Sequence, residues 1–139
     1  DEDGAVAAAE YFLRMTTYAA ATGDTTELEA MSGPDCQFCE SYLESVELSH
    51  EDGGWATIPE IIFHKAQKRE TYEGSRQFQV ELDVTKGAYQ YYSPTDGWID
   101  NAAQSLVMIV IVDFTENGLW VIDAVQDLPE GTELREETP

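Results

Sequence analysis

The feature that most constrains this chain is a change of period at Gly53-Gly54. Before that pair, apolar residues recur every three or four positions; after it, they alternate or run on between turn signals. A period near 3.6 buries one stripe of a helix, and a period of two buries one face of a strand. The order therefore predicts an α+β domain with helices first and strands after. Three N-terminal helices should pack on one face of a curved, mostly antiparallel, cone-like sheet.

In the first half, residues 1–4 form a frayed acidic start, and Ala5 to Thr22 reads as an Ala-rich helix. Ala8, Phe12, Met15, Ala19 and Thr22 share one face, flanked by Tyr11 and Tyr18. Gly23 should end this helix in the left-handed region, and Asp24 should cap a short helix over Thr25 to Met31. Ser32-Gly33-Pro34-Asp35 reads as a turn, with Pro34 at a helix start where a missing N–H costs nothing. The third helix, Cys36 to His50, buries Cys39, Leu43 and Val46 and turns Glu40, Glu44, Glu47 and Glu51 outward. A straight helical row of carboxylates does not converge on one ion, so the expectation is a solvated face and no metal site.

In the second half, Phe78, Val80, Leu82 and Val84 alternate with polar residues as a half-buried strand. Leu106 to Phe114 is apolar nearly throughout and should lie centrally, with Leu119 to Val125 as its partner across the turn Thr115–Gly118. Trp55 to Lys65 should be an edge strand, because Pro59 cannot donate to a ladder. The turn Ser93–Gly97 joins Tyr89–Tyr92 to Trp98–Ile99. Residues 5–128 thus make one domain, and residues 129–139 read as an acidic polar tail. Phe12, Met15, Leu43, Val46, Val80, Leu82, Met108, Val110 and Val112 should form its core.

Charge narrows the partners. Asp and Glu number 28 and Lys and Arg only 7, a net charge of −21. Such a surface cannot neutralise a nucleic-acid backbone and is repelled by anionic lipid headgroups. Cationic partners stay open, and solubility is the plainest use of the charge. The longest apolar run, Leu106 to Val112, is too short to span a bilayer. The chain opens on Asp1-Glu2-Asp3 without a start Met, and reads as a mature or trimmed form whose targeting segment is missing.

The phrase Tyr18-Ala-Ala-Ala-Thr-Gly-Asp-Thr-Thr-Glu-Leu28, followed by Met31-Ser-Gly-Pro-Asp-Cys-Gln-Phe-Cys39, resembles a family of actinobacterial lipoproteins of unknown function. The match covers roughly residues 10–45. The helix, Gly-Asp and short helix before a sheet are also similar to the nuclear-transport-factor-2-like (cystatin-like) cone fold. The resemblance implies an exported, extracytoplasmic protein at the cell surface, anchored by a lipidated Cys upstream of Asp1. It implies no activity.

Four groups could carry chemistry. Cys36 and Cys39 could be a redox pair, a half zinc site or a structural disulfide. A redox pair normally follows a parallel strand in a βαβ unit, which this sequence lacks. Zinc would need two more ligands, and His50 and His64 lack the spacing. The structural disulfide is the reading taken, and export permits it. His64, Lys65, Lys68 and Arg69 form a basic cluster that could meet an anionic ligand, though pairing with the abundant acidic neighbours is the expectation. Tyr89, Tyr91 and Trp98 could make an exposed aromatic surface, or staple a hairpin by cross-strand pairing. Tyr11, Tyr18 and Trp55 could line the mouth of a cone pocket. No catalytic residue and no cofactor is expected. The sequence points to a non-enzymatic module that binds a small molecule or a cell-surface protein. The alternatives are an enzyme using the interior pocket or an extracytoplasmic thiol oxidoreductase.

Overall fold

The computed structural model describes residues 2–69 and 76–128. Three helices come first: α1 (Glu2–Thr22), α2 (Thr26–Met31) and α3 (Gln37–Glu51). Seven strands follow: β1 (Trp55–Ala56), β2 (Ile61–Lys68), β3 (Gln77–Lys86), β4 (Tyr89–Ser93), β5 (Gly97–Asn101), β6 (Gln104–Phe114) and β7 (Trp120–Leu128). Every strand pairing is antiparallel, so the chain is α+β as its periods require. The strands divide into two sheets rather than one: β2-β3-β6-β7 and β1-β4-β5. The division falls inside the segment expected as a single edge strand. Pro59, buried and without an N–H, lies in the break between β1 and β2. Each of those strands then becomes an edge, one in each sheet.

Helix α1 begins at Glu2, three residues ahead of the expected Ala5. Acidic residues suit the positive end of the helix dipole, and the Ala run behind them extends the helix backward. The acidic tail over 129–139 lies outside the described residues. Gly23 has φ 77° and donates its N–H to the Ala19 carbonyl at 2.8 Å, ending α1 as expected. Asp24 Oδ1 then accepts from the Thr26 N–H at 3.1 Å. That hydrogen bond holds the Asp24 carboxyl below its ordinary pKa. At the far hairpin only Gly118 takes positive φ, at 78°; Asn117 does not.

The core lies between α1 and the inner face of the four-stranded sheet. Ala5, Ala8, Ala9, Phe12, Thr16 and Ala19 form the buried stripe of α1. Val80, Leu82, Val84, Met108, Val110, Val112 and Ile122 face it, and Leu28, Cys36, Cys39 and Val46 close it from the side. Met15 and Leu43, expected inside, are only partly buried at its rim, and Thr22 is exposed where α1 ends. Thr16 holds the stripe position instead. Its hydroxyl donates to the Leu13 carbonyl at 2.6 Å, so burial leaves no unmatched polar atom.

The helical half is pinned to β7 by main chain. The Gly33 N–H donates to the Ile122 carbonyl at 2.8 Å, beside a parallel bridge between Ser32 and Ile122. The register of β7 slips by one residue at Asp123. Burial raises the Asp123 pKa, and nearby Asp113 and Asp35 push the same way.

Candidate functional site

Strand parity sorts the aromatic residues of the three-stranded sheet. Successive side chains on β4 point to opposite faces, so Tyr89 and Tyr91 go one way and Tyr92 the other. The turn between β4 and β5 sets Ser93 opposite Gly97, and therefore Tyr92 opposite Trp98 and Gln90 opposite Asp100. On the other side, Trp55 of β1 stands opposite Tyr92. Residues directly opposed across antiparallel strands share a face. Trp55, Tyr92 and Trp98 thus form one row across all three strands. The Trp55 and Trp98 rings meet edge to face at 5.1 Å, and Tyr92 lies 5.3 Å from Trp98. Trp55 is nevertheless 40% exposed and Trp98 50%.

This corrects the expected grouping of Tyr89, Tyr91 and Trp98. Tyr91 faces the helices, where its hydroxyl and that of Ser49 are 2.7 Å apart. The Tyr89 ring receives Lys86 Nζ at 4.4 Å from its centre, and burial lowers the Lys86 pKa. Only Trp98 of the three lies on the outward face. The register was readable from the turn, since pairing Ser93 with Gly97 fixes Tyr92 against Trp98. The pairing of Trp55 was not, because β1 is two residues long and joins from a distance.

A polar row lies beside the aromatic one. Thr57 and Gln90 exchange main-chain and hydroxyl hydrogen bonds: Thr57 N–H to the Gln90 carbonyl at 2.8 Å, and Gln90 N–H to Thr57 Oγ1 at 2.9 Å. Gln90 Nε2 donates to Asp100 Oδ1 at 2.9 Å and so orients that carboxylate. An open concavity of about 500 Å³ borders this row, lined by Thr57, Tyr89, Gln90, Asp100 and Asn101 among others. Residues 89–101 include Asp96 and Asp100 but no Lys or Arg.

The other candidate residues go elsewhere. Tyr11 donates to the Glu27 carboxylate, and the Tyr18 hydroxyl is 3.5 Å from Asp24 Oδ2. Both tie α1 to the segment after it. Trp55, the third residue expected at a pocket mouth, stands in the aromatic row of the small sheet. A smaller cleft of about 210 Å³ lies between the helices and β4, lined by Tyr42, Ser45, Ser49, His50 and Tyr91 among others. Several of its polar groups have internal partners: His50 Nε2 is 3.0 Å from the Ala20 carbonyl oxygen, and Tyr42 donates to the Thr16 carbonyl at 2.6 Å. Burial pushes the Tyr42 phenol up to about 12.

The Cys36 and Cys39 sulfurs stand at disulfide distance, with Cα atoms 5.2 Å apart. Both residues are buried, and Cys36 Sγ accepts from the Cys39 N–H at 3.2 Å as the cap of α3. Among the described residues, no group of three or more His, Cys, Asp or Glu side chains could hold a metal ion. No helix among them is long and apolar enough to cross a membrane. In the basic cluster, Arg69 Nε pairs with Glu81 Oε1 at 2.9 Å. Glu81 is only 3% exposed and accepts from Gln67 Nε2 at 2.8 Å. Sequence alternation places Glu81 on the outer face but says nothing of its burial. Its cross-strand neighbour Ile109, itself buried within the apolar run of β6, was the available signal.

No curated protein matches the sequence. The fold is similar to that of the intermembrane space region of the chloroplast protein ARC6. That likeness has 11% identity and a TM-score of 0.70, and covers 92% of this chain and 96% of that one. It is also similar to a protein from Catenulispora acidiphila at 13% identity and TM-score 0.55, covering 88% of each chain. A second structure from that organism, in complex with S-DNPA, matches at 13% identity and TM-score 0.54, covering 87% of this chain and 90% of the other. At these identities the likeness is one of fold. The family model for a "Family of unknown function (DUF6318)" matches residues 1–126, and the chain belongs to that family.

Proposed function

We propose that this chain is an exported, non-enzymatic binding module, and that the outward face of its three-stranded sheet is the surface that binds. The observation that carries the reading is the row Trp55, Tyr92 and Trp98, in which both indoles keep two-fifths or more of their surface in water. Cross-strand pairing of such rings contributes roughly 0.2–1 kcal/mol per pair, which stiffens the row without hiding it. Contiguous exposed aromatic surface on a rigid sheet is the kind that anchors ligands and partners. The S-DNPA complex of the Catenulispora acidiphila protein supports the view that the architecture can hold a bound partner. Its ligand here is a small molecule or a segment of a cell-surface protein. Export, with a lipid anchor on a segment upstream of Asp1, belongs to the same proposal. A cysteine pair at disulfide distance supports an oxidising compartment.

Backbone amide shifts test the surface, recorded with choline, a methyl glucoside and acetate in turn. Shifts should gather at Trp55, Gln90, Tyr92, Trp98 and Asp100 for at least one probe. Shifts confined to the cleft of Ser45, Ser49, His50 and Tyr91, or chemical turnover of a probe, would overturn the reading. Protease treatment of intact cells tests export: the full-length protein should be cut without lysis.

A further inference from the structure

Resting on the outward aromatic face as the binding surface, we infer that its ligand is an organic cation, an alkylammonium or guanidinium group seated on Trp55 and Trp98 beside Asp100. A cation is drawn to an aromatic ring by the negative face of its π system, most strongly for Trp. The protein already uses this physics internally. Lys86 Nζ lies 4.4 Å from the centre of the Tyr89 ring, and the Arg14 guanidinium 4.8 Å from that of Phe63. Neither of those contacts uses the row of Trp55, Tyr92 and Trp98, whose indoles remain open to solvent.

Charge selects among the ligands that aromatic rings accept. The neighbouring polar row presents the Asp100 carboxylate, fixed by the 2.9 Å hydrogen bond from Gln90 Nε2. Asp96 follows in the adjoining turn, and β1, β4 and β5 carry no Lys or Arg to compete. The chain as a whole carries −21, so its field concentrates cations and repels anions around every exposed face. A neutral sugar could stack on the same rings but would gain nothing from this charge. The concavity of about 500 Å³ bordering Asp100 leaves room for the remainder of a ligand whose cationic head sits on the indoles.

The test is titration of the folded protein with choline, followed by tryptophan fluorescence and calorimetry. Its neutral isostere 3,3-dimethylbutan-1-ol, a methyl glucoside and acetate serve as comparators. Choline should bind and the isostere should bind at least about tenfold more weakly, the loss of one cation–π contact set. Binding should weaken as sodium chloride is raised. Trp98→Ala and Trp55→Ala should each weaken it about tenfold, and Asp100→Asn by a smaller factor. Trp98→Phe, which keeps a ring, should retain part of the affinity even if the alanine variant fails to fold. If the isostere or the glucoside binds as tightly as choline through the same residues, the cation is refuted while the surface stands. If choline binds but ignores both tryptophan variants, or if no probe perturbs the row, the surface fails with it.

Discussion

An alanine at position 33 should cost the protein about 1–2 kcal/mol of stability, net of what a stiffer unfolded chain returns. The Gly33 N–H reaches the Ile122 carbonyl at 2.8 Å, where the turn before α3 meets β7. A Cβ there would fall 2.7 Å from that same carbonyl oxygen and 2.9 Å from Asp123 Oδ1. The carboxylate could swing aside, but the carbonyl belongs to a strand held in register with β6. The turn must therefore back away and surrender the hydrogen bond. Losing a net hydrogen bond costs about 0.5–1.5 kcal/mol, and leaving its buried groups unmatched raises that to about 1–3. Alanine returns about 0.4–1 kcal/mol by restricting the unfolded chain, too little to reverse the sign. Urea unfolding measures the difference as a lower midpoint at an unchanged slope. Gly118→Ala is the contrast, since its Cβ would meet nothing within 4 Å and only the φ of 78° opposes it. That strain is about 1–2 kcal/mol. A Gly33→Ala protein as stable as the parent would refute the close approach of the turn to β7.

Val110 sits 1% exposed in the middle of β6, between Val80 and Val125. Truncation to Ala removes about two buried methyl groups, worth about 0.8 kcal/mol each, plus a cavity term. Thermal or urea unfolding should show a loss of about 2–3 kcal/mol. Replacing both Cys36 and Cys39 by Ser should lower stability by about 2 kcal/mol while circular dichroism keeps its shape, and thiol titration of the parent should find no reactive thiol. The Asp24 carboxyl has a lowered pKa in the fold, so its contribution is present above the ordinary value of 3.8 and fades as pH falls through the folded value. The stability gap between the parent and Asp24→Ala should close under acid; a gap that widens there contradicts the role of the Thr26 N–H.

Much of the fold was legible because its signals are local. The periods of α1, α3 and β3, the left-handed Gly23 and the turn Ser93–Gly97 all act within a few residues of chain. What the sequence concealed was non-local. Nothing near Pro59 says that β1 leaves for another sheet, and nothing in the stripe of α1 says that Thr16 outranks Met15 for the interior. That choice depends on the angle at which the helix crosses the sheet. The candidate site follows the same division. The match of Tyr92 with Trp98 is local arithmetic from a turn. The arrival of Trp55 beside them, and the departure of Tyr91 to Ser49, depend on how β1 and α3 dock.

The most direct measurement of the central claim is the set of indole N–H signals in a two-dimensional NMR spectrum, because the chain has three tryptophans in two environments. Trp55 and Trp98 meet on the outward face of the small sheet, whereas Trp120 packs against Phe78 and Phe114 on the large one. Adding choline should move the Trp55 and Trp98 signals along saturable curves with one shared dissociation constant, and leave Trp120 in place. Equal movement of all three, or none in the outward pair at saturating choline, would contradict the account.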